Sequence, residues 1–137
     1  MSEIKKILFV CVENAGRSQI AEGFFKKYIT SEYQPISAGT QPVNETNPLV
    51  IEVMKEVGID ISKQTPKMIS KEMINQSTKI VNMGCMDKEL CPALFLNDIV
   101  DWAIQDPKNE SIDKIREIRD EIERKIKELV VDLEVIK

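Results

Sequence analysis

The feature that most constrains the fold is the stretch Ile4–Phe25, IKKILFVCVENAGRSQIAEGFF, where an apolar run ends on a cysteine and a short polar loop leads into helical spacing. Ile7-Leu8-Phe9-Val10 is apolar at consecutive positions, the pattern of a strand covered on both faces at the centre of a parallel sheet. Cys11 closes that run, and a helix is predicted from Arg17. A cysteine at the mouth of a helix meets unpaired N–H groups and the positive end of the helix dipole, and both favour a thiolate. An inert, buried cysteine at a strand end is the plainer alternative.

The chain has 137 residues, enough for a single domain spanning 1–137 to bury a core without disulfide staples. Its longest apolar run, Ile7–Val12, is far too short to span a membrane, and MSEIKK lacks the pattern of a signal peptide. A cytoplasmic protein with no membrane partner is therefore expected. The net charge of −4 offers no basic field for nucleic acid, so an anionic ligand must be held by a local device. Histidine is absent, which removes Cys-His dyads, Ser-His-Asp triads and His-containing metal sites. Three cysteines in a reducing compartment point to free or redox-active thiols rather than a disulfide framework.

Along the chain, Ile4–Val10 reads as the first strand and the segment from Arg17 as a helix burying Ile20, Ala21, Phe24, Phe25 and Tyr28. Gln34–Ala38 is a second strand ending at Gly39. A loop rich in Pro and Asn then leads to a helix opened by Pro48 and closed by Gly58. Pro66–Ile74 suggests a short helix with Met68, Ile69 and Met73 inward. Lys79–Met83 and Ile99–Ile104 are strand candidates on either side of a loop holding Cys85 and Cys91. The last helix repeats Ile112, Ile115, Ile118, Ile122, Ile126, Leu129 and Leu133 every three or four residues, and the charges between them read as a solvated face. Alternating strands and helices define an α/β sandwich with a mostly parallel sheet. Ligands of such sheets sit beyond the carboxyl ends of the strands, where Cys11, Gly39, Gly84-Cys85 and Asp106 all fall.

Cys11 and Arg17 are separated by five residues, Val12, Glu13, Asn14, Ala15 and Gly16. Such a loop can turn its N–H groups inward while the guanidinium offers a two-pronged clamp, making a cradle for a tetrahedral oxyanion above the sulfur. Asn14 tolerates the left-handed conformation a tight loop needs, and Gly16 lets the backbone approach a ligand. The Ser18 hydroxyl can donate to the Cys11 sulfur and so favour its anionic form.

VCVENAGRSQIAEGFF resembles the phosphate-binding loop of the low-molecular-weight protein tyrosine phosphatases and of the thioredoxin-coupled arsenate reductases that share their fold. The likeness continues through ISAGT (Ile36–Thr40), VGIDIS (Val57–Ser62), the cysteine loop, Asp106-Pro107 and RDEIERKI (Arg119–Ile126). It implies a three-layer α/β sandwich on a four-stranded parallel sheet in the order 2-1-3-4, with Cys11 as nucleophile and Arg17 as oxyanion clamp. A monomer without a firm metal site is expected, although some reductases of this type bind potassium through residues matching Asn14, Glu22 and Ser37.

The two branches differ in their need for thiols. A phosphatase forms and hydrolyses a phosphocysteine and needs one cysteine, whereas a reductase must find two electrons and uses three. GCMDKELCP resembles the reductase redox loop, which implies Cys85 as the attacking thiol, Cys91 as the resolving one, and thioredoxin or a similar dithiol as reductant. Two unrelated loop cysteines are the plainer alternative; a zinc site lacks ligands. By resemblance Asp106 matches the phosphatase general acid, although an Asp before Pro also forms turns unaided. Lys108 stands where an aromatic commonly frames phosphotyrosine, so a small oxyanion, arsenate or phosphate, is the more natural ligand. The sequence therefore points to an arsenate reductase with residual phosphatase activity. The alternatives are a phosphatase of phosphotyrosine or small esters, and an oxyanion-binding or redox-sensing module without turnover.

Overall fold

The apolar run forms a strand, β1 (Lys5–Cys11), in which Ile7, Leu8, Phe9 and Val10 have no solvent exposure. The computed structural model describes residues 5–29, 32–83 and 99–135. After β1 come α1 (Arg17–Tyr28), β2 (Tyr33–Gly39), α2 (Pro48–Lys55), α3 (Lys71–Gln76), β3 (Ser77–Asn82), β4 (Ile99–Asp101) and α4 (Ile112–Val135). The four strands form one parallel sheet in the order β2-β1-β3-β4, so β1 is central, as its unbroken apolar run demands. Leu8 pairs with Ile36 on one side and Ile80 on the other, and Cys11 is level with Gly39 at the carboxyl rim.

Helices on the two faces complete a three-layer sandwich. α1 buries Ile20, Ala21, Phe24 and Phe25 completely and packs on β1 and α4, and α4 also packs on α2. Phe9 of β1 meets Phe25 edge-on at 5.8 Å and Trp102 at 6.2 Å. α4 turns Ile115, Ile118, Ile122, Ile126, Leu129 and Leu133 into the core, as its spacing predicts. Its charged stripe is not wholly solvated. Arg119 is buried, donating to the Val53 carbonyl at 2.9 Å, and together with Arg116 it grips Glu56 just beyond α2.

α3 packs against β1 and β3 in the crossover that returns from β2. The side-chain oxygen of Ser70 caps it by accepting from the Met73 N–H. The helix anticipated over Pro66–Ile74 therefore starts later than its apolar spacing suggested. Lys67–Ile69 instead runs extended beside the end of β2, with the Gly39 N–H donating to the Lys67 carbonyl and the Ile69 N–H to the Gly39 carbonyl, each at 2.9 Å. That pairing leaves Met68 57% exposed rather than inward. Among the described residues, no helix is long and apolar enough to cross a membrane.

Candidate active site

The loop between β1 and α1 is held from outside. The carbonyls of Cys11, Val12, Glu13 and Ala15 accept from the N–H groups of Thr40, Gln41, Val43 and Asn47. In a planar trans peptide the N–H points opposite to the carbonyl, so the N–H groups of Val12, Glu13, Asn14 and Gly16 face the other way, toward the loop's interior. Asn14 takes the left-handed conformation anticipated for it, at φ 54°. Its carbonyl accepts from Gln19 Nε2 at 2.8 Å and its Oδ1 from the Lys67 N–H at 2.9 Å. The rim of β2 approaches so closely that a Cβ on Gly39 would lie 2.9 Å from the Asn14 nitrogen, and closer still to the Val12 carbonyl oxygen. Only glycine fits there.

At the centre, the Cys11 sulfur lies 2.8 Å from Ser18 Oγ, and Cys11 is 2% exposed. Asn14 Nδ2 donates to that same Ser18 oxygen at 2.6 Å. With its oxygen accepting from Asn14, the Ser18 hydroxyl keeps its own proton free to be donated to the sulfur, the direction that attack by a Cys11 thiolate would call for. Arg17, also buried, has Nη1 donating to the backbone carbonyls of Met83 at 2.7 Å and Ile104 at 3.0 Å. Those bonds fix the guanidinium plane and turn Nη2 toward Asp106, whose Oδ2 is 3.6 Å away. Cys11, Arg17, Ser18 and Asp106 thus meet at one rim.

Between them is a cavity of about 40 Å³ lined by Cys11, Arg17, Asn47, Asp106, Glu13 and Lys108, among others. A water-sized group takes about 10–15 Å³ of such space, so it has room for roughly three or four, the scale of the four oxygens of a tetrahedral oxyanion. Its far wall, Asp106-Pro107-Lys108, sits hard against the loop, since a Cβ on Gly16 would lie 2.6 Å from Pro107 Cγ. Lys108 Nζ bonds Glu13 Oε2 at 2.8 Å. The Glu13 carboxylate, and to a lesser degree that of Asp106, pushes the Lys108 amine above its ordinary value. Neither this pairing nor the Met83 and Ile104 carbonyls that anchor Arg17 was marked in the sequence, because each joins segments more than sixty residues apart. Cys85 and Cys91 lie outside the described residues.

The three residues matched to a potassium site are already engaged. Ser37 Oγ donates to Glu22 Oε1 at 2.6 Å, Lys26 Nζ pairs with Glu22 Oε2 at 2.9 Å, and Asn14 Oδ1 is taken by Lys67. A lysine ammonium rather than a vacant set of oxygens thus stands beside the Glu22 carboxylate. This arrangement does not fit a potassium ion.

The model of the low molecular weight phosphotyrosine protein phosphatases matches residues 6–136. The chain belongs to this family. Among its relatives, arsenate reductase 2 of Staphylococcus haemolyticus is 41% identical over 124 residues, 89% of this chain and 93% of that protein. A solved arsenate reductase in a phosphate-binding state superposes with a TM-score of 0.84 at 32% identity, covering 93% of this chain and 98% of its own. The thioredoxin-dependent arsenate reductase of Corynebacterium glutamicum superposes equally well, at 0.84 with 37% identity, over 99% of this chain and 65% of the longer protein. The family and the observed strand order, β2-β1-β3-β4, are those that the sequence implied.

Proposed function

We propose that this protein is an arsenate reductase that works through a Cys11-Cys85-Cys91 relay. The observation that carries the reading is the oxyanion-sized cavity floored by the Cys11 sulfur and walled by an Arg17 anchored on two backbone carbonyls. Relatives named arsenate reductase favour arsenate as the anion held there.

The inward N–H groups and Arg17 hold arsenate above the sulfur. The Cys11 thiolate adds to arsenic, and one oxygen leaves as water after protonation by Asp106 or solvent. The Cys85 thiolate then attacks the Cys11 sulfur. The sulfur–arsenic electron pair stays on arsenic, which departs as arsenite, reduced by two electrons, while the two sulfurs are oxidised to a disulfide. Cys91 attacks Cys85, freeing Cys11 as thiolate and leaving a Cys85–Cys91 disulfide. A dithiol protein such as thioredoxin, the partner named for the Corynebacterium relative, removes that disulfide by exchange. The protein acts as a monomer in the reducing cytoplasm.

A second reading, a phosphatase of small phosphate esters, draws on Asp106. Its side chain is half exposed beside Arg17, within reach of a leaving ester oxygen. One assay separates the readings. With arsenate, thioredoxin, thioredoxin reductase and NADPH, a reductase oxidises NADPH and releases one arsenite for each NADPH consumed. Ester hydrolysis without arsenite would establish the phosphatase. A titratable disulfide without either product would mean a sensing module.

A further inference from the structure

Two side chains at the cavity have no part in the relay. Glu13 belongs to the phosphate-binding loop, and Lys108 to the turn that follows β4 and Asp106. Their ion pair, 2.8 Å long, joins two side chains that both line the cavity, one from the loop and one from the turn. The Lys108 side chain is 57% exposed and that of Glu13 27%, whereas Cys11 at the floor is 2% exposed, so the pair lies at the outer end. The backbone beneath Lys108 is fixed, because its N–H donates to Asp106 Oδ1 at 3.0 Å and Pro107 packs against Gly16.

We propose that the Glu13–Lys108 ion pair is a strap across the mouth of the oxyanion pocket that selects ligands by size, passing an inorganic tetrahedral oxyanion and holding back phosphate monoesters. The inference rests on the reading of Cys11 and Arg17 as an oxyanion site. An inorganic oxyanion ends at its four oxygens and fits beneath the closed pair. A monoester must carry its ester carbon outward between the two walls, which parts Glu13 from Lys108. A pair this exposed is worth little, so opening it disfavours the ester by roughly twofold to fivefold. Positive charge on Lys108, reinforced by Glu13 and Asp106, keeps the strap paired across neutral pH.

The test measures protection of Cys11 from iodoacetamide by inorganic phosphate and by phenyl phosphate. Cys11 modification is followed in the tryptic peptide Ile7–Arg17, cut short after position 13 in the variant carrying Glu13→Lys; either form contains neither Cys85 nor Cys91. In Lys108→Ala and Glu13→Ala, the ratio of half-protecting concentrations, phenyl phosphate over phosphate, should fall about twofold to fivefold. The double variant should gain no more than either single one. The charge-exchanged variant Glu13→Lys/Lys108→Glu should return the ratio toward that of the natural protein. A ratio unmoved in both single variants, or left low after the charge exchange, overturns the strap. Arsenite release is not part of this readout, so a protein that fails to reduce arsenate can still show the strap. Failure of phosphate to protect the natural protein would instead remove the oxyanion site itself.

Discussion

The Cys11 sulfur and the Ser18 hydroxyl oxygen stand 2.8 Å apart, and the same oxygen accepts from Asn14 at 2.6 Å. The loop between β1 and α1 therefore places, through Asn14, a hydroxyl within hydrogen-bond distance of the sulfur. Replacing Ser18 by Ala removes a hydrogen bond to a charged group, worth about 1.5–3 kcal/mol. The expected loss in kcat/KM for arsenate is at least about tenfold, with a parallel slowing of Cys11 alkylation at fixed pH. Equal rates in the two proteins would show that Ser18 only packs.

Arg17 is held by Met83 and Ile104 through one nitrogen, which leaves the other side of its fork for ligand. Lysine keeps the charge but lacks the planar fork that holds two carbonyls through one nitrogen while offering the other to an oxyanion. In Arg17→Lys, kcat/KM should drop by about 10²–10³, the cost typical of losing an oxyanion donor. Phosphate should protect Cys11 far less well. Undiminished phosphate protection would exclude Arg17 from the anion site.

Gly39 meets the loop where no Cβ fits. Gly39→Ala should cost about 1–3 kcal/mol in urea unfolding, as forced overpacking does, and should lower activity beyond what stability explains by displacing Asn14. A variant as stable and active as the natural protein would mean the rim relaxes freely.

Glu56 ties the end of α2 to α4. Hydrogen bonds from Arg116 and then Arg119 hold its carboxyl down from the ordinary 4.5 to about 2. A carboxyl depressed by folding stabilises fully above its unfolded value and loses that contribution as pH falls through its folded one. The gap in urea midpoint between the natural protein and Glu56→Gln should thus be full near neutral pH, narrow below about 4.5 and close toward about 2. A gap that stays constant with falling pH would show that the ion pairs add nothing through charge.

Much of the scaffold was legible because it rests on short-range patterns. Four consecutive apolar residues marked β1 as central, the repeat of isoleucines marked the buried face of α4, and Asn14 was recognisable as a residue able to take a positive φ. Legibility failed where distant segments decide local conformation. Pro66–Ile69 carries apolar residues at helix-like spacing, yet backbone pairing with Gly39 draws it out straight and exposes Met68. β4 stops at Asp101 rather than Ile104; beyond it, the Trp102 N–H reaches the Asn82 carbonyl and the Ile104 carbonyl turns to Arg17. The active-site partners hardest to foresee, Glu13 and Lys108, are ninety-five residues apart and carry no local signal of each other.

In the proposed relay, oxidation passes from Cys11 to Cys85 and then to Cys91. The most direct measurement is arsenite released per chain by Cys91→Ser with thioredoxin, thioredoxin reductase and NADPH in excess. The relay predicts at most one arsenite per chain, with hydrolysis of p-nitrophenyl phosphate retained, while the natural protein turns over continuously. Sustained release from Cys91→Ser at the natural rate would refute it.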